Sequence, residues 1–419
     1  MTSKKSLYSR FKQFVNDLGP GLITGASDDD PSGIATYSQA GAQFGFSTLW
    51  MALITFPLMF SIQEMCGRIG MVTSKGLITN IKENFHPSIV YVTLMITVPA
   101  VVLNIGADLS GMGAVANLIF PGIPSYAFSI AFAILLNIMI VFLPYLKMVN
   151  FLKYACIVLF LYVFIPFFAK IHWMAVLKNT LIPTINFNKQ YINILVAILG
   201  TTISPYLFFW QATMAVEEKN HRGKIASKFN IKKQFTDIGV GMFISNLIMY
   251  FIILSTGAIL FTNGVNEITT VQQAAKALEP IAGKMCYLIF AIGIIGTGLL
   301  AIPVFCSSIA YLICSTFNFK EGLNKKPHES KMFYLIISLS LMFGLAIDGI
   351  GLSPIKALIY TAVLYGVSAP PLILLVIILA NNKKILKQYT NSKASNFFGV
   401  ITFLLMTTAA FLLLYFQLT

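Results

Sequence analysis

Long stretches of apolar side chains alternate with short polar links along the 419 residues. The apolar runs fall at about 19–46, 47–68, 89–119, 125–146, 148–169, 190–216, 236–262, 281–317, 332–350, 353–380 and 396–418. Each is near or above the roughly 20 residues a helix needs to cross a bilayer. The pattern predicts an all-α polytopic membrane protein with eleven transmembrane helices. The longest polar links, around 219–235, 263–280 and 319–331, are too short for a separate soluble domain. Composition agrees: 57% of residues are hydrophobic and 11% charged, against about 25% charged in soluble domains.

The net charge of +14 suggests a nucleic-acid partner until its distribution is traced. With the N-terminus in the cytoplasm, 23 of the 29 basic residues fall on the cytoplasmic side, the positive-inside bias of a membrane protein. The basic stretch 219–233 is thus a topology signal, no nucleic-acid partner is implied, and eleven spans leave the C-terminus outside. Residues 1–18 are polar and basic with no apolar core, so they predict a cytoplasmic segment rather than a signal peptide. A bacterial plasma membrane is the expected location. The five cysteines lie in or at the ends of spans without close-paired metal spacing, which predicts buried packing.

The chemistry is concentrated where the first run is interrupted. Asp28, Asp29 and Asp30 stand in mid-span, followed by Pro31, Ser32 and Gly33. A charge at bilayer depth costs about 2.5–3.5 kcal/mol on insertion scales. Three acids beside a helix breaker fit oxygen ligands at an unwound helix lining a polar cavity, and so a cation site. The sixth run is broken in a corresponding place by Gly200, Thr201, Thr202, Ile203, Ser204, Pro205 and Tyr206. Two broken helices five spans apart predict two inverted five-helix repeats, 19–169 and 170–380, holding substrate between them, with 396–418 as an eleventh span.

The stretch Gly19 to Gly45, with Gln63 to Leu77 and Gly298 to Leu323, resembles the natural resistance-associated macrophage protein (NRAMP) family of divalent-metal transporters. The resemblance covers most of the chain to about residue 325 and implies a leucine-transporter-like fold with broken helices 1 and 6. Asp30 aligns with the metal-binding aspartate of the family's Asp-Pro-Gly-Asn motif, but Gly33 replaces the asparagine. The family's Ala-Thr-Val-Met-Pro-His becomes Thr201 to Tyr206, with Ser204 for the metal-binding methionine and Tyr206 for the histidine.

Thioether is a soft ligand suited to manganese and iron, whereas carboxylate, carbonyl, hydroxyl and water oxygens suit hard cations. Magnesium also keeps several of its waters, and Gly33 and Ser204 shorten two side chains. The pattern resembles the divergent NRAMP-related magnesium transporters. It implies Mg2+, with Mn2+ second, as transported substrate, and no cofactor. The expected ligands are the Asp30 carboxylate, the Thr201 carbonyl, the Ser204 hydroxyl and water. Asp28 and Asp29 enlarge the negative field or touch the hydrated ion; alternatively, Asp29 caps the helix at the break.

Proton relays need chains of titratable groups. All four histidines fall in links or their edges. Where the family has an Asp and a Glu in the third span, this chain has Ile105 and Asp108. Asp108 either faces the cation pathway or is a buried structural acid. Uncoupled transport by alternating access is expected, with a proton-coupled Mn2+/Fe2+ carrier and a sodium-coupled organic-solute carrier as alternatives. Three acids at the first break disfavour an amino-acid carboxylate there.

Met112, Met242 and Met249 read as packing, and Trp50 and Trp173 as interfacial anchors. Trp210 reads as a lining residue of the inner exit or as packing; Glu217 and Glu218 as cation attractors or a solvated helix end. Tyr360 to Tyr365 are the expected tenth-span contribution. No Gly-x-x-x-x-Gly-Lys-Ser/Thr loop is present, and no histidine lies in a span to serve an intramembrane nucleophile, so a pump or an enzyme is not indicated. The divalent ion and the lipid bilayer are the implied partners; oligomeric state is not implied.

Overall fold

A computed structural model describes residues 20–143, 157–169, 171–222, 226–349 and 353–418. Segment 1–18, Cys156 and the first part of the fifth apolar run, 148–156, lie outside the described residues. Of the described residues, 84% are helical and none lies in a strand. The principal helices are α1 (Pro20–Asp28), α2 (Pro31–Phe44), α3 (Trp50–Thr73), α4 (Leu77–Asn84), α5 (Pro87–Ile119), α6 (Ser125–Phe142), α7 (Leu161–Phe168), α8 (Trp173–Leu181), α9 (Lys189–Thr202), α10 (Pro205–Arg222), α11 (Lys228–Ile259), α12 (Cys286–Phe317), α13 (Lys331–Asp348), α14 (Pro354–Asn381) and α15 (Lys393–Leu418). Short helical turns occupy 261–263 and 271–285.

Seven helical stretches among the described residues combine the length and hydropathy needed to cross a membrane, counting α9 and α10 as one. The first expected span is the broken pair α1 and α2. The second is α3, which carries Glu64 and Arg68. The ninth is the shorter apolar helix α13, and α7, led in by a 3-10 turn at Ile157–Phe160, belongs to the fifth.

Both breaks fall where the sequence places them. Pro31 opens α2 at its first position, where a missing N–H is harmless. Asp30 precedes it with extended backbone, and its side chain accepts the Gly33 amide, satisfying a donor left free at the helix start. The capping residue is therefore Asp30 rather than Asp29, because the residue directly before an N1 proline occupies the cap. At the second break Ile203 leaves the helical region and Pro205 starts α10. The Ser204 hydroxyl lies 2.6 Å from the Thr201 carbonyl and 3.1 Å from that of Gly200, donating back to the end of α9.

The broken helices form the centre of the bundle. In the most apolar window of Lys189–Lys219, 94% of residues are buried, against 22% in Ser125–Phe142 and 28% in Lys393–Leu418. The sixth span is thus enclosed by protein, while α6 and α15 show Ile134, Phe142, Phe411 and Tyr415 outward. Without a hydrophobic drive between helices in lipid, close van der Waals contact decides the packing. A Cβ on Gly25 would fall 2.3 Å from the Gly241 carbonyl oxygen, so α1 lies backbone to backbone on α11; Gly200 and Gly366 do the same for α9 and α14.

Two further features differ from expectation or extend it. Trp50 is buried rather than interfacial: its Nε1–H donates to the Tyr191 hydroxyl, and Tyr191 donates to the Thr184 carbonyl. At the other end of α3, Arg68 donates to both Glu64 oxygens (2.7 and 2.9 Å), to the Tyr389 carbonyl (2.6 Å) and to Asn391 Oδ1 (2.6 Å). Asn391 in turn donates its backbone N–H to Ala380 at the end of α14.

Candidate cation site

Each break exposes backbone ends and small oxygen-bearing side chains at the centre of the bundle. Asp30 Oδ1 accepts from the Gly33 amide at 2.6 Å and Oδ2 from Asn104 Nδ2 at 2.9 Å. A Cβ on Gly33 would stand 3.2 Å from Thr201 Oγ1 and 3.3 Å from both the Asp28 carbonyl oxygen and Asp30 Oδ1. The structure thus brings Asp30, Gly33 and Thr201 together, with Ser204 fixed to the Thr201 carbonyl, and any side chain at 33 would press on oxygen atoms.

Asp28 and Asp29 turn elsewhere. Ser245 Oγ of α11 lies 2.9 Å from Asp28 Oδ2 and 3.2 Å from Asp29 Oδ1. Asp28 Oδ1 and Asp29 Oδ2 are buried without a hydrogen-bond partner. Among the described residues, no three His, Cys, Asp or Glu side chains gather as a metal cluster: the three consecutive acids diverge toward α11 and α5. Among the described residues no lysine, arginine or histidine pairs with Asp28, Asp29, Asp30 or Asp108, and all four are at most 2% exposed. Buried carboxylates without a countercharge are costly and suit a site whose positive charge arrives with its cargo.

The pathway candidates divide. Asp108 is fully buried on α5, close to Asp30 and the Ser32 amide. The Tyr206 hydroxyl donates to the Ser27 carbonyl at 3.1 Å, joining α10 to the last turn of α1, and its ring meets Phe305 edge to face at 4.4 Å. Trp210 is fully buried in α10. Beside it, Gln211 Oε1 accepts from Thr24 Oγ1 at 2.7 Å. Glu217 lies about 20 Å along the helix from the break and is held by Tyr311 (3.0 Å) and Asn324 (3.2 Å). In the adjoining link, burial pushes the Glu321 carboxyl up to about 7, and Ser315 donates to it at 2.7 Å.

Sequence reasoning missed Asn104 and Ser245. A neutral amide or hydroxyl in an apolar run carries no motif; only the four-residue spacing of Asn104 and Asp108 marks a shared helix face. Tyr365 of the expected tenth-span group is buried beside Tyr206, with ring centroids 5.7 Å apart, whereas Tyr360 is exposed. Two thioethers approach from other helices: Met249 Sδ lies 3.6 Å from Thr202 Oγ1, and a Cβ on Gly298 would meet Met112 Sδ at 2.4 Å and Pro31 at 3.4 Å.

Two proline-broken helices crossing at the centre of a helical bundle, with buried oxygen donors at both breaks, define a membrane protein of leucine-transporter-like fold. Solved structures share it. The Eremococcus coleocola manganese transporter, in complex with an aromatic bis-isothiourea substituted compound, superposes with a TM-score of 0.75 at 16% identity, covering 97% of this chain and 87% of that one. Mhp1, a nucleobase-cation-symport-1 family transporter, gives 0.59 at 13% identity, covering 94% and 91%. The divalent metal cation transporter MntH of Caldanaerobacter subterraneus subsp. tengcongensis is 25% identical over 386 residues, 88% of this chain and 85% of that protein. The chain belongs to the Natural resistance-associated macrophage protein-like family, whose model matches residues 21–416. The match extends well past residue 325, where the legible motifs stop.

Proposed function

We propose that this protein is a carrier, not an enzyme, that moves divalent metal cations across a cell membrane by alternating access, Mg2+ foremost and Mn2+ second, without proton coupling. The ion is the substrate, and no cofactor takes part. The observation that carries the reading is the oxygen character of the two breaks: Gly33 and Ser204 stand where the family motif has asparagine and methionine, and the atoms around them are the Asp30 carboxylate, the Asp28 and Thr201 carbonyls and the Thr201 hydroxyl. Oxygen donors favour hard cations, and buried negative charge compensates for the water a divalent ion sheds. Asp30, the Thr201 carbonyl and Ser204 act as ligands with retained water, and Asp28 and Asp29 add negative field from the α11 side. The repeats 19–169 and 170–380 rock about the breaks, with the N-terminus cytoplasmic. Asp108, with Ile105 where the family has a second third-span acid, makes a poor proton relay.

Met249, whose sulfur accepts from Thr202 Oγ1 near the second break, favours a second reading, a proton-coupled Mn2+/Fe2+ carrier. Proteoliposome uptake decides between them. With an internal magnesium-sensitive dye, saturable Mg2+ entry abolished by Asp30→Ala is expected. Manganese entry unaffected by excess Mg2+ establishes the second reading, and uptake that survives Asp30→Ala overturns the site.

A further inference from the structure

The α5 side of the first break holds oxygen atoms that the ligand set above does not use. Asn104, Asp108 and Met112 recur at four-residue spacing and are fully buried, so they form a stripe on one face of α5. Asn104 spends its amide nitrogen on Asp30 Oδ2, and its Oδ1 has no partner. Neither Asp108 oxygen has a fully formed hydrogen bond, although the Ser32 amide is close by, and the Tyr365 hydroxyl, 1% exposed, has no partner. Tyr365 lies within electrostatic reach of both Asp30 and Asp108. Buried polar atoms are normally satisfied, and each exception calls for an explanation. Four such atoms on three residues stand around one carboxylate, and among the described residues no basic side chain pairs with them; a cation would supply what all four lack.

We infer that Asn104 and Asp108 close the cation site from the α5 side, forming with Asp30 and the Tyr365 hydroxyl an oxygen-only cage for a divalent cation. The inference rests on the divalent-cation reading above and adds its missing wall. Asp30 then joins two half-shells, one from the second break through Thr201 and Ser204, the other from α5. Two carboxylates, Asp30 and Asp108, match the charge of one divalent ion, while the amide and phenol oxygens supply neutral donors of the kind hard cations accept. Asn104 suits this position because its nitrogen holds Asp30 in place while its oxygen remains available. Leucine of similar volume offers neither group, and aspartate keeps an oxygen but loses the donor.

The test uses the full chain in nanodiscs and proteoliposomes, with Mg2+ and Mn2+ as probes. Asp108→Asn and Asn104→Leu are expected to raise the concentration for half-maximal Mn2+ binding by ~10-fold or more, a loss of the size seen when partners of a metal site are removed, with thermal stability retained. Asp108→Cys, titrated with Cd2+ against the unaltered protein, is expected to gain an ultraviolet sulfur-to-cadmium charge-transfer band, which a merely structural acid would not produce. If Asp30→Ala abolishes binding while Asp108→Asn and Asn104→Leu bind normally and Asp108→Cys shows no band, the α5 wall is overturned and the divalent-cation reading stands. If Asp30→Ala binds and transports normally, both fall together.

Discussion

At the breaks, the legibility of single side chains follows from how unusual each is in its setting. Asp30 was readable because an acid before proline inside an apolar run has few structural uses, and it lies with Gly33 and Thr201 at the crossing of the two breaks. Asn104 was not readable, since a neutral amide costs less to bury and fits no motif. Ser204→Met is expected to shift uptake preference toward Mn2+ by about tenfold, since a thioether favours softer ions; competition between Mn2+ and Mg2+ in proteoliposomes measures it, and an unchanged ratio removes Ser204 from the ligand set. Glu321 supplies a pH prediction away from the spans. Its carboxyl rises from an ordinary 4.5 to about 7 on folding, so the stability due to its bound proton is full below the lower value and lost as pH rises through 7. Glu321→Gln should flatten the decline in melting temperature over that interval, and parallel curves for the two proteins would exclude this origin.

At the scale of helices, the periodic apolar pattern located most spans and both interruptions, because lipid imposes length and proline imposes the break. The connecting helices α4 and α8 were invisible: eight or nine residues with mixed polarity read as links. Trp50 read as an interfacial anchor because it opens its run, and only the tertiary cover from Tyr191 shows it to be interior. The glycine contact between α1 and α11 gives an element-level prediction. Gly25→Leu forces atoms into the Gly241 backbone and is expected to cost about 1–3 kcal/mol or more, as overpacking does. A melting temperature in detergent equal to that of the unaltered chain would mean that α1 relaxes away from α11 at no cost.

For the molecule as a whole, the membrane potential is a sufficient driving force for an uncoupled divalent carrier. It supplies about 2.3 kcal/mol per elementary charge per 100 mV, hence roughly 10³-fold accumulation of a doubly charged ion at that voltage. Imposing an inside-negative potassium diffusion potential without a pH gradient should drive Mg2+ uptake with no acidification of the vesicle interior; proton entry that tracks the metal would establish coupling.

Arg68 has a consequence at this largest scale. Its planar fork rivets α3 to the 389–391 corner that joins α14 to α15, with four donor contacts satisfied at once. Pulling that corner away strands a buried cation together with its glutamate, so α3 and the final hairpin travel as one plate. A spacer inserted within α15 should leave this plate intact, whereas Arg68→Leu should uncouple its two halves and make the corner the first place a protease cuts.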